Sequence, residues 1–236
     1  MEEKKWWIVV GGIRRLGLAL AQQLAEKHRL VLTSSKAPDI EGLSGLSIRT
    51  DTRLLHWDAD DPGLASRMMT DLEALKGEEI VLQGAILVAG TFPFSPLGAW
   101  NESNLQETWR VNLTFPFLAI QSLAPHLAEG SCIQIMLDTC IHRPLLNRLP
   151  YSCAKSGLAA LVTGLACLLA PKIRVVGHAI GTMLPDETSP VGFLENQTLL
   201  KHIGTPEELC KAVLYADASP SMTGEILTLD GGSRWR

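Results

Sequence analysis

The chain has no excess of positive charge, no paired-cysteine motif, no metal-ligand histidine spacing and no apolar run of membrane length. Each shortage excludes a class of function. Lys and Arg number 21 against 25 Asp and Glu, a net charge of −4, so no basic field exists to hold nucleic acid or an anionic membrane. The five cysteines, Cys132, Cys140, Cys153, Cys167 and Cys210, are odd in number and form no C-x-x-C. They fit a reducing compartment and small apolar core positions rather than a disulfide framework. The six histidines never fall at zinc-ligand spacing, so no metal is expected. The opening residues, Met1-Glu-Glu-Lys-Lys-Trp-Trp7, contain no signal-peptide core or cleavage site. The oiliest stretch, 157–170, is shorter than the ~20 residues a spanning helix needs. The expectation is a soluble, cytoplasmic protein that binds neither nucleic acid nor membrane.

What is present is an alternation. Hydrophobic residues make up 46% and charged ones 19% of the 236 residues, with a mean hydropathy of +0.14, which excludes a disordered chain. Such a length buries roughly 70–75% of its unfolded surface without staples. Apolar, β-rich runs occur at 7–10, 30–33, 54–57, 85–89, 132–137, 173–178 and 226–229. Most are continuous rather than alternating, as in parallel strands covered on both faces. Helical patterns lie between them. Leu16, Leu20 and Leu24 step by four after the first run, and further helices fit 62–75, 103–128, 151–170 and 206–216. Thr205 and Pro206 open the last as N-cap and first helical residue. No repeat, linker or low-complexity segment interrupts the pattern. It predicts one α/β domain over 1–236, a Rossmann-type doubly wound parallel sheet of about seven strands.

The helix after Tyr151 is apolar nearly all round (Leu158, Ala159, Ala160, Leu161, Val162, Leu165, Ala166, Leu168, Leu169). A helix without a polar face is covered on both sides: either it is a core helix of a monomer, or its outer side meets another subunit.

Between the first run and the first helix lies Ile8-Val-Val-Gly-Gly-Ile-Arg-Arg-Leu-Gly17. Gly11 permits a tight turn, Gly17 a close approach of helix and strand, and the helix N-terminus offers free N–H groups and a positive dipole end to a pyrophosphate. The spacing differs from G-x-G-x-x-G, and a plain turn is the other reading. Arg14 and Arg15 in the loop favour phosphate, although Arg14 also reads as a solvated surface residue. NAD-type sites carry an acidic residue after the second strand. Here stand Thr33-Ser34-Ser35-Lys36, hydroxyls and a cation suited to a 2′-phosphate, so NADPH is expected, with Asp39 a little further on keeping NAD open.

Tyr151 and Lys155 are four apart and share one helix face. A free phenol has a pKa of about 10, and a neighbouring ammonium is expected to lower it, making Tyr151 a general acid/base. Y-x-x-x-K also arises by chance, so its company matters. Asp138 ends the fifth strand at the sheet edge where ligands bind, or it caps the following turn. Asn112, in Val111-Asn-Leu-Thr-Phe-Pro116, is polar inside a helix and either serves the site or bonds a neighbouring carbonyl.

These residues together resemble the short-chain dehydrogenase/reductase superfamily, and more narrowly its pteridine reductase and dihydromonapterin reductase branch. Where the superfamily has a middle glycine, the branch has Arg followed by Leu-Gly, as in Arg15-Leu16-Gly17. Where most members have Ser, the branch has Asp, here Asp138. The stretch Leu137-Asp-Thr-Cys-Ile-His-Arg-Pro-Leu-Leu-Asn-Arg-Leu-Pro-Tyr151-Ser-Cys-Ala-Lys155 follows the branch without a gap. Ala89-Gly-Thr-Phe92-Pro-Phe-Ser-Pro-Leu97 is also similar, and so is the end, Thr223-Gly-Glu-Ile-Leu-Thr-Leu-Asp-Gly-Gly232. The resemblance implies catalytic Asp138, Tyr151, Lys155 and Asn112. It implies cofactor contacts at Gly11, Ile13, Arg14, Arg15, Leu16, Ser34, Ser35, Asp58, Ala89, Gly90, Tyr151, Lys155 and Gly181, and substrate contacts at Arg15, Phe92, Asp138 and Tyr151. It further implies a homotetramer, with the tail Ser233-Arg-Trp-Arg236 at a subunit interface. The chain departs from the family at Leu87-Val88-Ala89-Gly90, which loses both amides of Asn-Asn-Ala-Gly. Gly90 replaces the branch's Ser, and Val176 and Ile180 replace the Asn and Pro of Asn-x-x-Pro-Gly.

Reduction of C=N needs a proton donor near nitrogen, which a carboxyl beside a phenol supplies. An ionised Asp138 would repel the alkoxide of a carbonyl reduction. The first reading is thus hydride transfer to a C=N of a dihydropterin or folate, with Tyr151 as proton donor. A carbonyl reductase and a weakly active dinucleotide-binding sensor are the others. Residues 182–204, with Met183, Leu184, Pro185, Pro190, Phe193 and Leu194, read as a substrate-covering loop or as a plain connector.

Overall fold

The computed structural model describes residues 4–36, 52–185 and 190–236. Along them run β1 (Trp6–Val10), α1 (Arg15–Leu24), β2 (Arg29–Ser34), β3 (Thr52–His56), α2 (Leu64–Gly77), β4 (Leu82–Leu87) and α3 (Glu102–Trp109). There follow α4 (Phe115–Leu123), β5 (Leu127–Asp138), α5 (Leu149–Leu169), β6 (Arg174–Ile180), α6 (Val191–Asn196), α7 (Pro206–Asp217) and β7 (Ile226–Leu229). The strands form one 7-stranded sheet in the order β3-β2-β1-β4-β5-β6-β7, every pair parallel. All seven expected strands are present, in the doubly wound architecture expected.

Strand β1, Trp-Trp-Ile-Val-Val, shows why. It has no charged or hydroxyl side chain, so it is stable only with both faces covered. Trp7 and Val9 join Leu20 and Leu24 of α1 and Leu209 and Val213 of α7 in one core. Ile8 and Val10 point the other way, into a core with Met68 of α2, Ile120 of α4 and Leu158 and Val162 of α5. The strand order reverses direction between β1 and β4, and that switch point opens a crevice at the carboxyl ends of the strands.

The single helix expected over 103–128 is broken. After α3, residues Arg110–Thr114 form a π turn, with the Phe115 N–H bonded to the Arg110 carbonyl. Pro116 is the physical reason: it has no N–H to give the carbonyl of Asn112 four residues back, and its ring would clash there, so the helix widens by one residue. Pro125 similarly ends the helical run, and β5 begins at Leu127, five residues earlier than expected. Strand β4 stops at Leu87, so Val88–Gly90 leave the sheet as a loop. Short α6 lies within the segment read as a loop.

Helix α5 has 21 residues, long and apolar enough by length and composition to cross a bilayer, which corrects the shorter stretch read from sequence. Leu158, Val162 and Ala166 are nevertheless buried in the core, and Lys155 is buried beside them, as in a core helix. The opposite side, with Cys153, Ser156, Ala160, Gly164 and Leu168, is exposed in the single chain.

Strand β6 carries a buried histidine. His178 Nε2 donates to Gln134 Oε1 at 2.7 Å, and the Gln134 amide donates to the Val213 carbonyl at 3.1 Å. Burial pulls the His178 pKa down to about 4; His28, stacked on Trp7, is lowered to about 4 too, chiefly by burial and then by Lys5. The unfolded chain, with histidine near 6.5, takes up these protons first. Stability is therefore complete above pH 6.5 and falls as the pH drops towards 4. Urea midpoints are expected to decline over that window. His178→Gln should flatten part of the decline; a native slope in the variant would contradict this origin.

Candidate active site

A cavity of about 450 Å³ lies along the carboxyl edge, from Ser34 and Ser35 after β2, across the loops of β1 and β4, to Asp138, Tyr151 and Gly181. Its floor is a glycine cradle. Gly11 has φ +84°, and a Cβ there would lie 2.8 Å from backbone atoms of Ala89. A Cβ on Gly17 would stand 2.0 Å from the Gly11 carbonyl oxygen. Such contacts allow only glycine, and they bring backbone against whatever fills the cleft. The Gly11 N–H donates to Thr33 Oγ1 at 3.1 Å, tying the loop to β2. Arg14 caps α1 in extended conformation. Arg15 follows with φ +43°, left-handed backbone that a non-glycine residue adopts at a cost. The superfamily that the sequence resembles carries a glycine here, the residue that left-handed backbone favours. Ile13, Arg14, Arg15 and Leu16 all line the cavity.

At the far end Ser34 is buried, and its Oγ accepts from the Lys36 N–H at 3.1 Å. Ser35 is exposed on the cavity wall, whereas Lys36 is not among its lining residues. Asp39 lies outside the described residues. Asp58 also stands off the cavity: its Oδ1 accepts from the Asp60 N–H at 3.0 Å, and the neighbours Trp57 and Ala59 line the wall instead.

Val88 lines the cavity, while Leu87 turns into the core, so loss of the two amides leaves the cleft open. Val176 is fully buried, whereas Ile180 and Gly181 line the cavity. Gly90 is constrained by Asn112: a Cβ there would meet Asn112 Oδ1 at 2.9 Å. Asn112 is itself fully buried in the π turn. Its Oδ1 accepts from the Thr91 N–H at 3.1 Å, and its Nδ2 donates to Thr91 Oγ1 at 3.1 Å and to the Thr108 carbonyl at 3.0 Å. Asn112 thus fixes the loop that carries Phe92. Thr91 was not foreseen; its place directly after Gly90 was the available signal.

The chemical centre is a pair. Tyr151 Oη donates to Asp138 Oδ2 at 3.0 Å, and Asp138 Oδ1 accepts from the Cys140 N–H at 2.7 Å. One oxygen of Asp138 caps the turn and the other meets the phenol. The Phe92 ring lies edge-on to Tyr151, centroids 4.9 Å apart. Lys155 is buried, 5.8 Å from the Tyr151 ring centroid, and its Nζ donates to the Met136 carbonyl at 2.9 Å.

The electrostatics correct one expectation. Tyr151 is not lowered by Lys155. Burial pushes the phenol well above its ordinary value, and the charge of Asp138 pushes it further. Lys155 is itself lowered by burial, with Asp138 opposing. Desolvation disfavours the charged forms of both Tyr151 and Lys155, so the resting site keeps its proton on the phenol.

Residues 12–234 match a family model described as enoyl-(acyl carrier protein) reductase. Tropinone reductase-like 3 of Erythroxylum coca is 29% identical over 98% of this chain and 93% of its own. Dihydromonapterin reductase of Escherichia coli O6:K15:H31 is 25% identical over 97% of this chain and 96% of its own. A short-chain dehydrogenase/reductase from Serratia marcescens shares the fold, with a TM-score of 0.86 at 24% identity over 98% of each chain. A glycine cradle and a Tyr-Lys pair could each arise separately; a match along nearly the whole length joins them, and the chain belongs to the short-chain dehydrogenase/reductases, oxidoreductases that work with a nicotinamide dinucleotide.

Proposed function

We propose that the protein reduces a C=N bond of a dihydropterin or folate with NADPH. The observation that carries this reading is the Tyr151–Asp138 hydrogen bond of 3.0 Å, a phenol and a carboxyl at the place where a ring nitrogen needs a proton. The glycine cradle suits a dinucleotide, with Gly11, Ile13, Arg14, Arg15 and Leu16 towards its pyrophosphate and Ser34 and Ser35 towards a 2′-phosphate. Ala89, Gly90, Lys155 and Gly181 would hold the nicotinamide end. Bound there, NADPH supplies the hydride.

Tyr151 supplies the proton. Held protonated by burial and by Asp138, it is a loaded acid throughout the neutral range. Asp138 accepts from the phenol while it is protonated and, once the phenol has given its proton to the ring nitrogen, relays one from solvent back to the phenolate oxygen. Lys155, in the same buried space, opposes the negative charge that then develops on Tyr151. Phe92 gives a flat substrate an aromatic wall, and Arg15 provides the facing guanidinium. Its Nη2 donates to the Leu184 carbonyl at 3.2 Å, which ties the phosphate loop to the segment 182–204, of which 186–189 lie outside the described residues and which we assign to covering the substrate.

The test is oxidation of NADPH by dihydrobiopterin, dihydrofolate and a panel of ketones, with NADH as control. Pterin turnover preferring NADPH is expected; turnover with ketones alone removes the pterin assignment. Asp138→Ser should lower pterin reduction by at least about 100-fold while sparing any ketone activity, and unchanged pterin turnover would sink the role given to Asp138. A carbonyl reductase is the second reading, favoured by the Erythroxylum relative, which is named for a ketone. We also assign the exposed side of α5 to contacts between copies in a cytoplasmic homotetramer; light scattering at the mass of one chain would refute the assembly.

A further inference from the structure

Arg148 has no part in the scheme above. It sits immediately before α5, three residues ahead of Tyr151, with its guanidinium 3.9 Å over the Phe92 ring and 5.7 Å from that of Phe94. Its Nη1 donates to the Phe92 carbonyl. Among the described residues no carboxylate pairs with it. A guanidinium carries five N–H donors, so most of its capacity is unspent. One aromatic face covers it, which reduces its hydration and favours pairing with an anion. Phe94, 66% exposed, adds uncovered aromatic surface beside the charge.

The setting is built rather than loose. The Ser95 N–H donates to the Asn147 carbonyl at 2.8 Å, and Ser95 and Arg148 form a parallel bridge. Trp100 Nε1 donates to the Ser95 carbonyl at 2.9 Å, and Trp109 Nε1 to the Pro150 carbonyl at 3.1 Å. The Ser95 contacts stitch the loop after β4 to the loop before α5, and the Trp109 bond ties α3 to the first turn of α5, so an anion arriving at Arg148 has little to reorganise.

We infer that Arg148 is the anchor for a carboxylate on an aromatic or apolar tail of the substrate, a tail that lies along Phe94 while its reacting ring meets Tyr151. The inference rests on the reductase reading for the ring that reacts. Within that reading it selects dihydrofolate, whose tail bears carboxylates, over a neutral dihydropterin.

The test compares KM for dihydrofolate with that for its diethyl ester, and for benzoylpropionate with its ethyl ester. Native protein is set beside Arg148→Met, which keeps an apolar stem against Phe92, and Arg148→Lys. In native protein the acids are expected to be favoured by roughly 10- to 100-fold, the range of a charge-assisted hydrogen bond. Arg148→Met should erase that preference by raising KM for the acids alone, and Arg148→Lys should retain part of it, since the charge survives without the fork. A native acid-to-ester ratio near one overturns the inference without any variant. A parallel loss for acid and ester in Arg148→Met also overturns it, marking Arg148 as a prop for Phe92.

The two substrate pairs keep the readings apart. A preference confined to benzoylpropionate, without pterin turnover, keeps the anchor and removes the pterin assignment. Equal turnover of dihydrofolate and its ester does the reverse. If none of the four is reduced, quenching of tryptophan fluorescence by folic acid and by its diester decides, and equal binding or none overturns the anchor.

Discussion

Tyr151→Phe is expected to lower kcat by roughly 10²–10⁴-fold, the usual contribution of a positioned general acid, with dinucleotide affinity changed less than about twofold. The substitution removes one oxygen from a buried side chain and leaves the ring in place against Phe92, so the cleft keeps its shape. What disappears is the only O–H directed at Asp138 Oδ2 among the described contacts. Asp138 then loses a hydrogen-bond donor, a net cost of about 1.5–3 kcal/mol in stability for a charged acceptor, which lowers the stability of the fold and does not account for a hundredfold loss of rate. The pH profile adds an independent check. Because burial and Asp138 raise the phenol, native kcat for reduction should stay level to about pH 10, where an ordinary tyrosine would already lose its proton. A fall between pH 7 and 9 without phenolate absorbance belongs to Lys155, which burial lowers; a fall accompanied by phenolate absorbance would show that Tyr151 itself ionises there. Stopped-flow turnover over that range, together with calorimetric titration of NADPH, checks both halves; a kcat unchanged in Tyr151→Phe would move the proton donor elsewhere.

Gly17→Ala is expected to destabilise the fold and to weaken dinucleotide binding at least about tenfold. By helix propensity alone it should stabilise, since alanine is preferred over glycine inside a helix by roughly 0.5–1 kcal/mol. Packing reverses the sign. The new Cβ would lie 2.0 Å from the Gly11 carbonyl oxygen and 3.2 Å from the Gly12 Cα. These are backbone atoms of the phosphate loop, so no side chain can swing aside. Either α1 moves away from β1, at the roughly 1–3 kcal/mol or more typical of overpacking, or the Gly11 turn shifts and with it the N–H groups meant for phosphate. The measurements are Tm and the Kd for NADPH. A Tm at or above native with an unchanged Kd would show that α1 and the loop approach less closely than this.

Much of the molecule was legible before any coordinates. Continuous apolar runs such as Trp7–Val10 read as doubly covered strands, so the sheet and its strand count follow from the order of residues. The four-residue step from Tyr151 to Lys155 and the pair Arg15-Leu16 followed by Gly17 are equally local, because helix period and turn geometry act over a few bonds. Even the break at Asn112 was written in Pro116, although the helical pattern on either side concealed it.

What remained depended on which distant groups meet. Asp58 has the right residue type at the right strand end, yet its carboxylate turns to its own loop. Arg148 looks like any surface arginine until the fold lays it on Phe92, 56 residues away. The sign of the Tyr151 shift reversed for the same reason. Spacing places an ammonium near the phenol, but only the packed structure counts the buried surroundings and the carboxylate that outweigh it. Local periodicity decided the elements of this protein. Burial and through-space charge, which no stretch of sequence contains by itself, decided how its active site holds a proton.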